Sequence, residues 1–309
     1  MRKLSVLLLG LLVLTSCKWK ENDQQSQAVK VSAGSIDHIE NFNSDFISPR
    51  NIEVWLPEDY DHGKKYASLY MMDGQMLFDS TTTWNRQEWG VDETMHQLVS
   101  KEEIKKTIVI AIGNAGASRH AEYFPQKPFE ALPQQLQDSL LDLKGDNRLF
   151  AEKVYSDDFL KFLVKELIPF IEKNYFVKQN DRYIAGSSMG GLISWYAVCE
   201  YPEVFDGAAC LSTHWPGNFD TENNPIPEAF LAYLDSNLPP PGHHKFYFDY
   251  GTETLDAMYE PYQKKVDSLM QAHGYTGANW KTEKFEGADH SENSWKKRLK
   301  IPLRFLLKE

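Results

Sequence analysis

Apolar and amphipathic stretches alternate along most of the chain, and this alternation predicts the order of strands and helices. Predicted strands, several of them continuous apolar runs as expected for strands covered on both faces, lie at 66–72, 107–112, 183–185, 207–212, 245–250 and 280–285. Stretches with helical periodicity lie at 91–98, 157–174, 258–272 and 295–307. The alternation predicts an α/β fold in which a mostly parallel central sheet carries helices on both faces.

Two parts of the chain depart from this alternation. The segments 36–42 and 51–57 alternate between polar and apolar residues and are joined by a short link, which predicts an added antiparallel edge. Residues 115–153 are irregular and rich in proline, which is typical of a lid or a substrate-binding insertion. Pro169 and Pro302 fall inside predicted helices and predict a kink or break in each.

The stretch 186–191, Gly-Ser-Ser-Met-Gly-Gly, follows a predicted strand and precedes a predicted helix. This is the context of a nucleophile elbow, the sharp turn that lifts a catalytic serine from the end of a strand. Ser188 has glycine two residues to either side, where strand and helix crowd each other, whereas Ser187 has Ala185 and the bulky Met189 there. We therefore take Ser188 as the candidate nucleophile. The alternative is a glycine-rich turn with a surface serine, because the motif arises by chance in about one chain in ten of this length.

A serine hydroxyl needs a base, and the base is usually oriented by a carboxylate. In an α/β hydrolase both partners lie in loops after strands downstream of the elbow, the acid first and the histidine last. His290 follows the last predicted strand and is the candidate base, whereas His214 precedes the acid. The loop after strand 245–250 offers Glu253 and Asp256. We favour Asp256, and the other carboxylate would then be solvated or cap a helix.

The oxyanion of an ester-cleaving reaction needs two donors. The backbone N–H after the nucleophile, that of Met189, is one candidate. The second normally comes from the loop after an earlier strand, and we nominate the N–H of Gln75. The alternative is that Gln75 belongs only to a glycine turn.

Charge and cysteine content exclude some classes of function. The chain has 309 residues and a net charge of −11 with no basic run, which argues against a nucleic-acid partner. No Cys or His spacing resembles a zinc motif. Cys199 and Cys210 fall in a predicted helix and a predicted strand, and we expect both to be buried free thiols.

The N-terminus has the pattern of a targeting segment. A positive start, a short apolar run and small residues precede Cys17, and this order resembles the lipobox of bacterial lipoproteins. We expect a signal peptide over 1–16, lipid on Cys17, a flexible polar tether over 17–30 and one catalytic domain over 31–309. These features predict a lipid-anchored protein of the cell envelope. The alternative is an ordinary secretory signal with a chance cysteine.

Five motifs together resemble the putative-esterase family of α/β hydrolases, which includes enterochelin, feruloyl and acetylxylan esterases and S-formylglutathione hydrolase. They are Asp73-Gly74-Gln75, Trp89-Gly90-Val91-Asp92-Glu93-Thr94, Arg119-x-x-Glu122-Tyr123-x-Pro125, the Ser188 elbow and Gly287-x-x-His290. Many members place the triad acid three residues after the loop glycine, and Thr254 stands there in this chain.

The resemblance implies hydrolysis of a carboxylic ester through an acyl-serine, with neither metal nor organic cofactor. It also implies a substrate side lined by Arg119, Glu122, Tyr123, His214 and Trp215, although Arg119 and Glu122 could instead form an ion pair. Our first hypothesis is an esterase acting on acetyl or feruloyl esters of glycans. The alternatives are a siderophore trilactone esterase and a non-catalytic glycan-binding lipoprotein on a hydrolase scaffold. The oligomeric state stays open.

Overall fold

The computed structural model describes residues 29–144, 148–150, 153–220 and 222–308. Cys17, the expected signal peptide and all but two residues of the expected tether lie outside the described residues. Eight strands form one sheet: β1 (Ser35–Phe42), β2 (Arg50–Leu56), β3 (Tyr66–Met72), β4 (Thr107–Ile112), β5 (Val177–Ser187), β6 (Gly207–Leu211), β7 (Lys245–Gly251) and β8 (Trp280–Phe285).

The strands follow the order β1-β2-β4-β3-β5-β6-β7-β8 across the sheet. β1 pairs antiparallel with β2, and β2 pairs antiparallel with β4. Every later pairing is parallel. The α/β fold with a mostly parallel sheet and an antiparallel edge, predicted from the sequence, is confirmed.

Helices cover both faces of the sheet. They are α1 (Val91–Ser100), α2 (Arg119–Tyr123), α3 (Gln126–Glu130), α4 (Gln134–Asp142), α5 (Ser156–Phe162), α6 (Ile168–Asn174), α7 (Met189–Glu200), α8 (Ile226–Asn237), α9 (Glu260–Ala272), α10 (Glu292–Arg298) and α11 (Lys300–Leu307). Within the described ranges, no helix has the length and apolar character needed to cross a bilayer.

The central strands are continuously apolar because each of their faces meets a separate core. In β4, Ile108 and Ile110 enter the larger core, while Val109 and Ala111 enter the smaller one on the opposite face. All four side chains are fully buried. Cys199 and Cys210 are buried free thiols, as expected.

The irregular stretch and the two proline positions differ in detail from the expectation. Residues 115–153 contain the short helices α2, α3 and α4. A π-helical turn, Leu163–Leu167, separates α5 from α6 directly before Pro169. It includes Lys165, which is four residues before Pro169. In a regular helix the ring of Pro169 would clash with the Lys165 carbonyl. Pro302 lies in the first turn of α11, where its missing N–H removes no helical hydrogen bond.

Candidate active site

The nucleophile elbow lies between β5, which ends at Ser187, and α7, which begins at Met189. Ser188 has φ 58° and ψ −121°, a sparsely populated conformation that costs about 1–3 kcal/mol and must be held by its surroundings. The Ser188 N–H donates to the Leu211 carbonyl at 2.9 Å, and the Ser188 carbonyl accepts from the first turn of α7. These bonds hold the strained serine at the edge of the sheet.

Local crowding explains the glycines on either side of Ser188. A Cβ on Gly186 would lie 2.6 Å from the Gly190 carbonyl oxygen, a separation that real side chains do not show. A Cβ on Gly190 would lie 3.2 Å from the Met72 Cβ, which is tight but less severe. The strand and helix can therefore approach this closely only with glycine at 186.

His290 and Asp256 are in direct side-chain contact. His290 Nδ1 lies 2.5 Å from Asp256 Oδ1, and the Asp256 side chain is fully buried. The His290 N–H donates to Thr254 Oγ1 at 2.9 Å, which fixes the histidine loop against the acid loop. Glu253 is exposed. The structure thus joins Asp256, rather than Glu253, to the candidate base, and Thr254 supports the loop by its hydroxyl.

The second oxygen of Asp256 is also occupied. Oδ2 accepts from Ser212 Oγ at 2.5 Å and from the Gly251 N–H at 2.7 Å. Burial alone would raise the pKa of Asp256, but the hydrogen bonds from His290, Ser212 and Gly251 outweigh burial and hold this pKa below its usual 3.8. Asp256 is therefore a carboxylate throughout the neutral range.

A buried arginine lies behind Asp256, the candidate acid. Arg298 donates to Asp249 at 2.8 and 3.2 Å and to Ser212 Oγ at 2.8 Å, and its Nη2 lies 3.9 Å from Asp256 Oδ2. Trp295 Nε1 donates to the same Ser212 oxygen at 2.9 Å. Burial raises the pKa of Asp249, and the attraction of Arg298 opposes that rise. Ser212 thus connects the buried ion pair to the acid that holds His290.

Of the five residues expected on the substrate side, only Arg119 reaches the cleft. It donates to both carboxylate oxygens of Asp73, at 2.6 and 2.8 Å. Glu122 is fully buried and pairs with Arg50, so the alternative of an Arg119–Glu122 ion pair is not observed either. Tyr123 is fully buried beneath the Arg119 guanidinium. The structure therefore does not bring Glu122 and Tyr123 to the substrate.

The two residues expected after β6 also point into the protein. Trp215 is 1% exposed, stacks on Trp195 and donates from Nε1 to Gln263 at 2.8 Å, so it is a core residue. His214 is 3% exposed, and its Nδ1 lies 2.8 Å from the Tyr259 hydroxyl. Burial lowers the pKa of His214 to about 3, so its ring is neutral. The Tyr259 hydroxyl also interacts with Ser188, which makes His214 and Tyr259 a support behind the nucleophile.

Of the two nominated oxyanion donors, Gln75 lines the cleft of Ser188, and Met189 directly follows the nucleophile in the chain. Gln75 lies in a short turn after β3, and Met189 is the first residue of α7. Neither backbone N–H donates to any residue that the structure describes. Two N–H groups near Ser188 are thus available to an incoming oxygen atom.

A cleft of about 540 Å³ contains Ser188 and His290. The polar residues of its wall include Gln75, Asn85, Gln87, Asn114, Arg119 and Glu292, and its apolar residues include Trp89 and Trp295. Trp84 lies on the same wall with 84% of its surface exposed. Sequence reasoning missed Trp84, Tyr259, Ser212 and Arg298; the only signals were an aromatic residue in a polar run and a serine directly after a strand. In the described ranges, no three His, Cys, Asp or Glu side chains are grouped to hold a metal ion.

Comparison with known proteins gives a family match over most of the chain. Residues 44–306 match the family described as "Putative esterase". One curated relative, an endo-1,4-β-xylanase/feruloyl esterase of Xylanibacter ruminicola, is 25% identical over 64% of this chain and 25% of its own length. The ferri-bacillibactin esterase BesA of Bacillus subtilis is 24% identical over 48% of this chain and 49% of its own length. The matches thus span about half or less of these two relatives.

Solved structures with the same fold include a ferulic acid esterase and an enterobactin esterase. A ferulic acid esterase superposes with a TM-score of 0.61 at 18% identity, over 88% of this chain and 98% of that one. The enterobactin esterase of Shigella flexneri superposes with a TM-score of 0.66 at 14% identity, over 90% of this chain and 60% of that one. At these identities the likeness shows the shared fold.

Proposed function

This chain belongs to the putative-esterase family, and from that premise we propose that it hydrolyses carboxylic esters through an acyl-serine intermediate. The observation that carries the proposal is the pairing of His290 with buried Asp256 in the same cleft as the strained Ser188. A nucleophile, a base and an acid that orients the base are the parts that acyl transfer requires.

We propose a step for each group. Ser188 Oγ attacks the ester carbonyl carbon while His290 Nε2 takes the hydroxyl proton, and Asp256 holds the other ring nitrogen. The carbonyl oxygen, now an anion, is met by the N–H groups of Gln75 and Met189. When the C–O bond breaks, His290 returns the proton to the leaving alcohol. Water then repeats the sequence on the acyl-serine and releases the carboxylic acid.

We favour acetyl or feruloyl esters of glycans as substrates. The cleft wall offers several neutral amides, and its charged residues are the two carboxylates Asp73 and Glu292 and the single cation Arg119. Arg119 is already held by both oxygens of Asp73. Such a wall suits a neutral polyol, which needs hydrogen bonds and no counter-charge.

A siderophore trilactone is the second candidate. The similarity to a ferri-bacillibactin esterase and to an enterobactin esterase favours it. A ferric catecholate complex is anionic, however, and the cleft wall carries more negative than positive side chains. Turnover of an enterobactin-like trilactone faster than of acetylated or feruloylated xylan would make this the better assignment.

The decisive experiment is active-site labelling with a fluorophosphonate, together with turnover of p-nitrophenyl acetate. We expect the wild-type domain to be labelled and active, and Ser188→Ala and His290→Ala to lose both properties. A folded wild type that is neither labelled nor active would overturn the esterase proposal. Retained binding of glycans by that inactive protein would then support the non-catalytic alternative.

The location of the protein is a separate proposal. We propose that lipid on Cys17 holds the domain at the cell envelope, which the order of residues around Cys17 supports. Metabolic labelling with a radioactive fatty acid tests it. Label on the wild type that disappears in Cys17→Ala is the expected result, and an unlabelled wild type would contradict the anchor.

A further inference from the structure

Four large apolar side chains of the described residues are exposed: Trp84, Phe46, Phe176 and Phe219. Trp84 is the most exposed of the four. It is also the member of this set that lines the cleft of Ser188. An exposed indole is common on protein surfaces and means little by itself. Its position beside a nucleophile gives it a chemical context that the other three lack.

The loop that carries Trp84 is held without help from the indole. Asp79 accepts the N–H groups of Thr81 and Lys30 at its base, at 2.9 and 3.0 Å. On the far side, Asn85 Nδ2 donates to Glu292 Oε2 at 2.8 Å. The indole is therefore presented on a fixed segment, and little conformational entropy is lost when a ligand packs against it.

The hydrogen bond from Asn85 to Glu292 indicates which part of the substrate contacts Trp84. His290 must return its proton to the leaving alcohol, so the alcohol lies on the histidine side of the cleft. Glu292 is two residues after His290, and its carboxylate holds Asn85, the neighbour of Trp84. The oxyanion donors, by contrast, come from Gln75 and Met189. The wall that contains Trp84 is thus the wall along which the alcohol leaves.

The chemistry of this wall combines the exposed indole of Trp84 with several amides. The indole offers a large flat face, and Asn85 and Gln87 offer amide donors and acceptors beside it. A pyranose has the complementary surface, with C–H groups on its faces and hydroxyls around its edge. We propose that Trp84 is the platform for the pyranose that carries the ester, so that the sugar is the leaving alcohol. This inference rests on the proposed esterase function and names the alcohol that the site accepts.

The kinetic test compares two esters with the same acyl group. Ethyl acetate and monoacetylated xylotetraose are hydrolysed in parallel by the wild type, Trp84→Ala and Trp84→Phe. We expect Trp84→Ala to lower kcat/KM for the sugar ester about three- to ten-fold relative to ethyl acetate, mainly through KM, because one aromatic contact is lost. Trp84→Phe should restore part of the difference. Phe176→Ala removes a ring that is 44% exposed outside the cleft, and it should leave both rates unchanged.

An equal fall on both esters, or no change on the sugar ester, would overturn the role of Trp84 while leaving the esterase intact. A binding measurement covers the case in which the protein is not an esterase. Calorimetric titration of Ser188→Ala with xylotetraose should show binding that Trp84→Ala weakens by a similar factor. Equal binding with and without Trp84, or no binding at all, would overturn the inference. Loss of fluorophosphonate labelling alone would overturn only the esterase proposal.

Discussion

Among the described residues, two arginine–carboxylate pairs are buried on both sides, and they differ in what surrounds them. Arg50 and Glu122 are 4% and 0% exposed, and Arg298 and Asp249 are 3% and 1% exposed. Each pair brings two charges out of water and needs close hydrogen bonding to offset that cost. In burial the two pairs are equivalent.

The first pair is bidentate, and its further hydrogen bonds are from Arg50 Nη2 to the Ser48 carbonyl at 3.1 Å and from the Tyr155 hydroxyl to Glu122 Oε1 at 3.5 Å. Both terminal nitrogens of Arg50 donate to Glu122, each at 2.8 Å, and the rings of Phe159 and Phe162 lie beside the guanidinium. Arg50 begins β2 and Glu122 lies in α2, so the pair fastens that short helix to the sheet. It has no contact with Ser188, His290 or Asp256 among the interactions of the described residues.

The second pair is connected to the candidate site by hydrogen bonds. One nitrogen of Arg298 serves Asp249 and Ser212 together, and Ser212 in turn donates to Asp256. A change in this pair must therefore reach the acid that holds His290. The comparison teaches that burial and bidentate geometry do not identify a functional charge. The second pair is distinguished because Arg298 Nη2 also donates to Ser212, and Ser212 in turn donates to Asp256.

The largest effect is expected where the second pair meets the triad. Asp256→Asn removes the charge that stabilises the imidazolium and leaves the wrong ring nitrogen protonated, so kcat should fall about 10⁴-fold. Glu253→Gln in the same loop is the matched control and should change kcat less than about two-fold. Steady-state turnover of p-nitrophenyl acetate measures both. A greater loss in Glu253→Gln than in Asp256→Asn would reverse the assignment of the acid.

Breaking the first pair should affect stability alone. Arg50→Met leaves the buried Glu122 without its cation, which should lower the free energy of unfolding by about 3–5 kcal/mol. Urea denaturation measures this loss, and kcat per fluorophosphonate-reactive site should stay near that of the wild type. Arg298→Met should lower both quantities.

An exposed ion pair provides the control for these two variants. Lys265 and Glu228 lie 2.8 Å apart, and both side chains are more than half exposed. Lys265→Met should move Tm by no more than about 2 °C. If Arg50→Met lowered kcat as strongly as Arg298→Met, the distinction between the two pairs would not stand.

The smallest effect concerns the link between the second pair and the acid. Ser212→Ala removes a hydrogen bond to ionised Asp256, which should cost about 1–3 kcal/mol of stability near pH 6. Because the pKa of Asp256 is lowered in the fold, its contribution is present above the ordinary value of 3.8 and disappears as pH falls through the folded value. The difference between wild type and Ser212→Ala should therefore shrink in acid.

Urea unfolding at several pH values between 3 and 6 measures this trend. Ser194→Ala is the matched control, because the buried Ser194 hydroxyl donates to the Gly190 carbonyl, which does not titrate in this range. Its cost should not depend on pH. A Ser212→Ala penalty that stays constant as pH falls would show that the hydroxyl does not act through the charge of Asp256.

The sequence predicts the strands well where both faces are covered. The bounds of β3 and β4 agree with the predicted runs to the residue, because a continuous apolar run stops where the chain leaves both cores. The long helix α8 was not predicted. Pro225 and Pro227 lie at its start, where their missing N–H groups cost nothing.

The sequence also indicates which residue types the site contains, but not where their side chains point. The spacing from Arg119 to Tyr123 names one motif, yet α2 turns Arg119 toward the cleft and Tyr123 into the core. The link from Arg298 to Ser212 spans 86 positions in the chain. No local sequence pattern predicts such a contact, because an arginine in an amphipathic helix ordinarily lies on the solvated face.

The positions of the reacting groups along the chain also affect when the protein becomes reactive. Ser188 lies between β5 and α7, Asp256 follows β7, and His290 comes 34 residues after Asp256, beyond β8. A ribosome that makes the chain from its N-terminus therefore delivers the nucleophile long before its base. Until β8 joins the sheet, the serine is an ordinary alcohol. The proposed catalytic serine thus lacks its proposed base until most of the chain has been made.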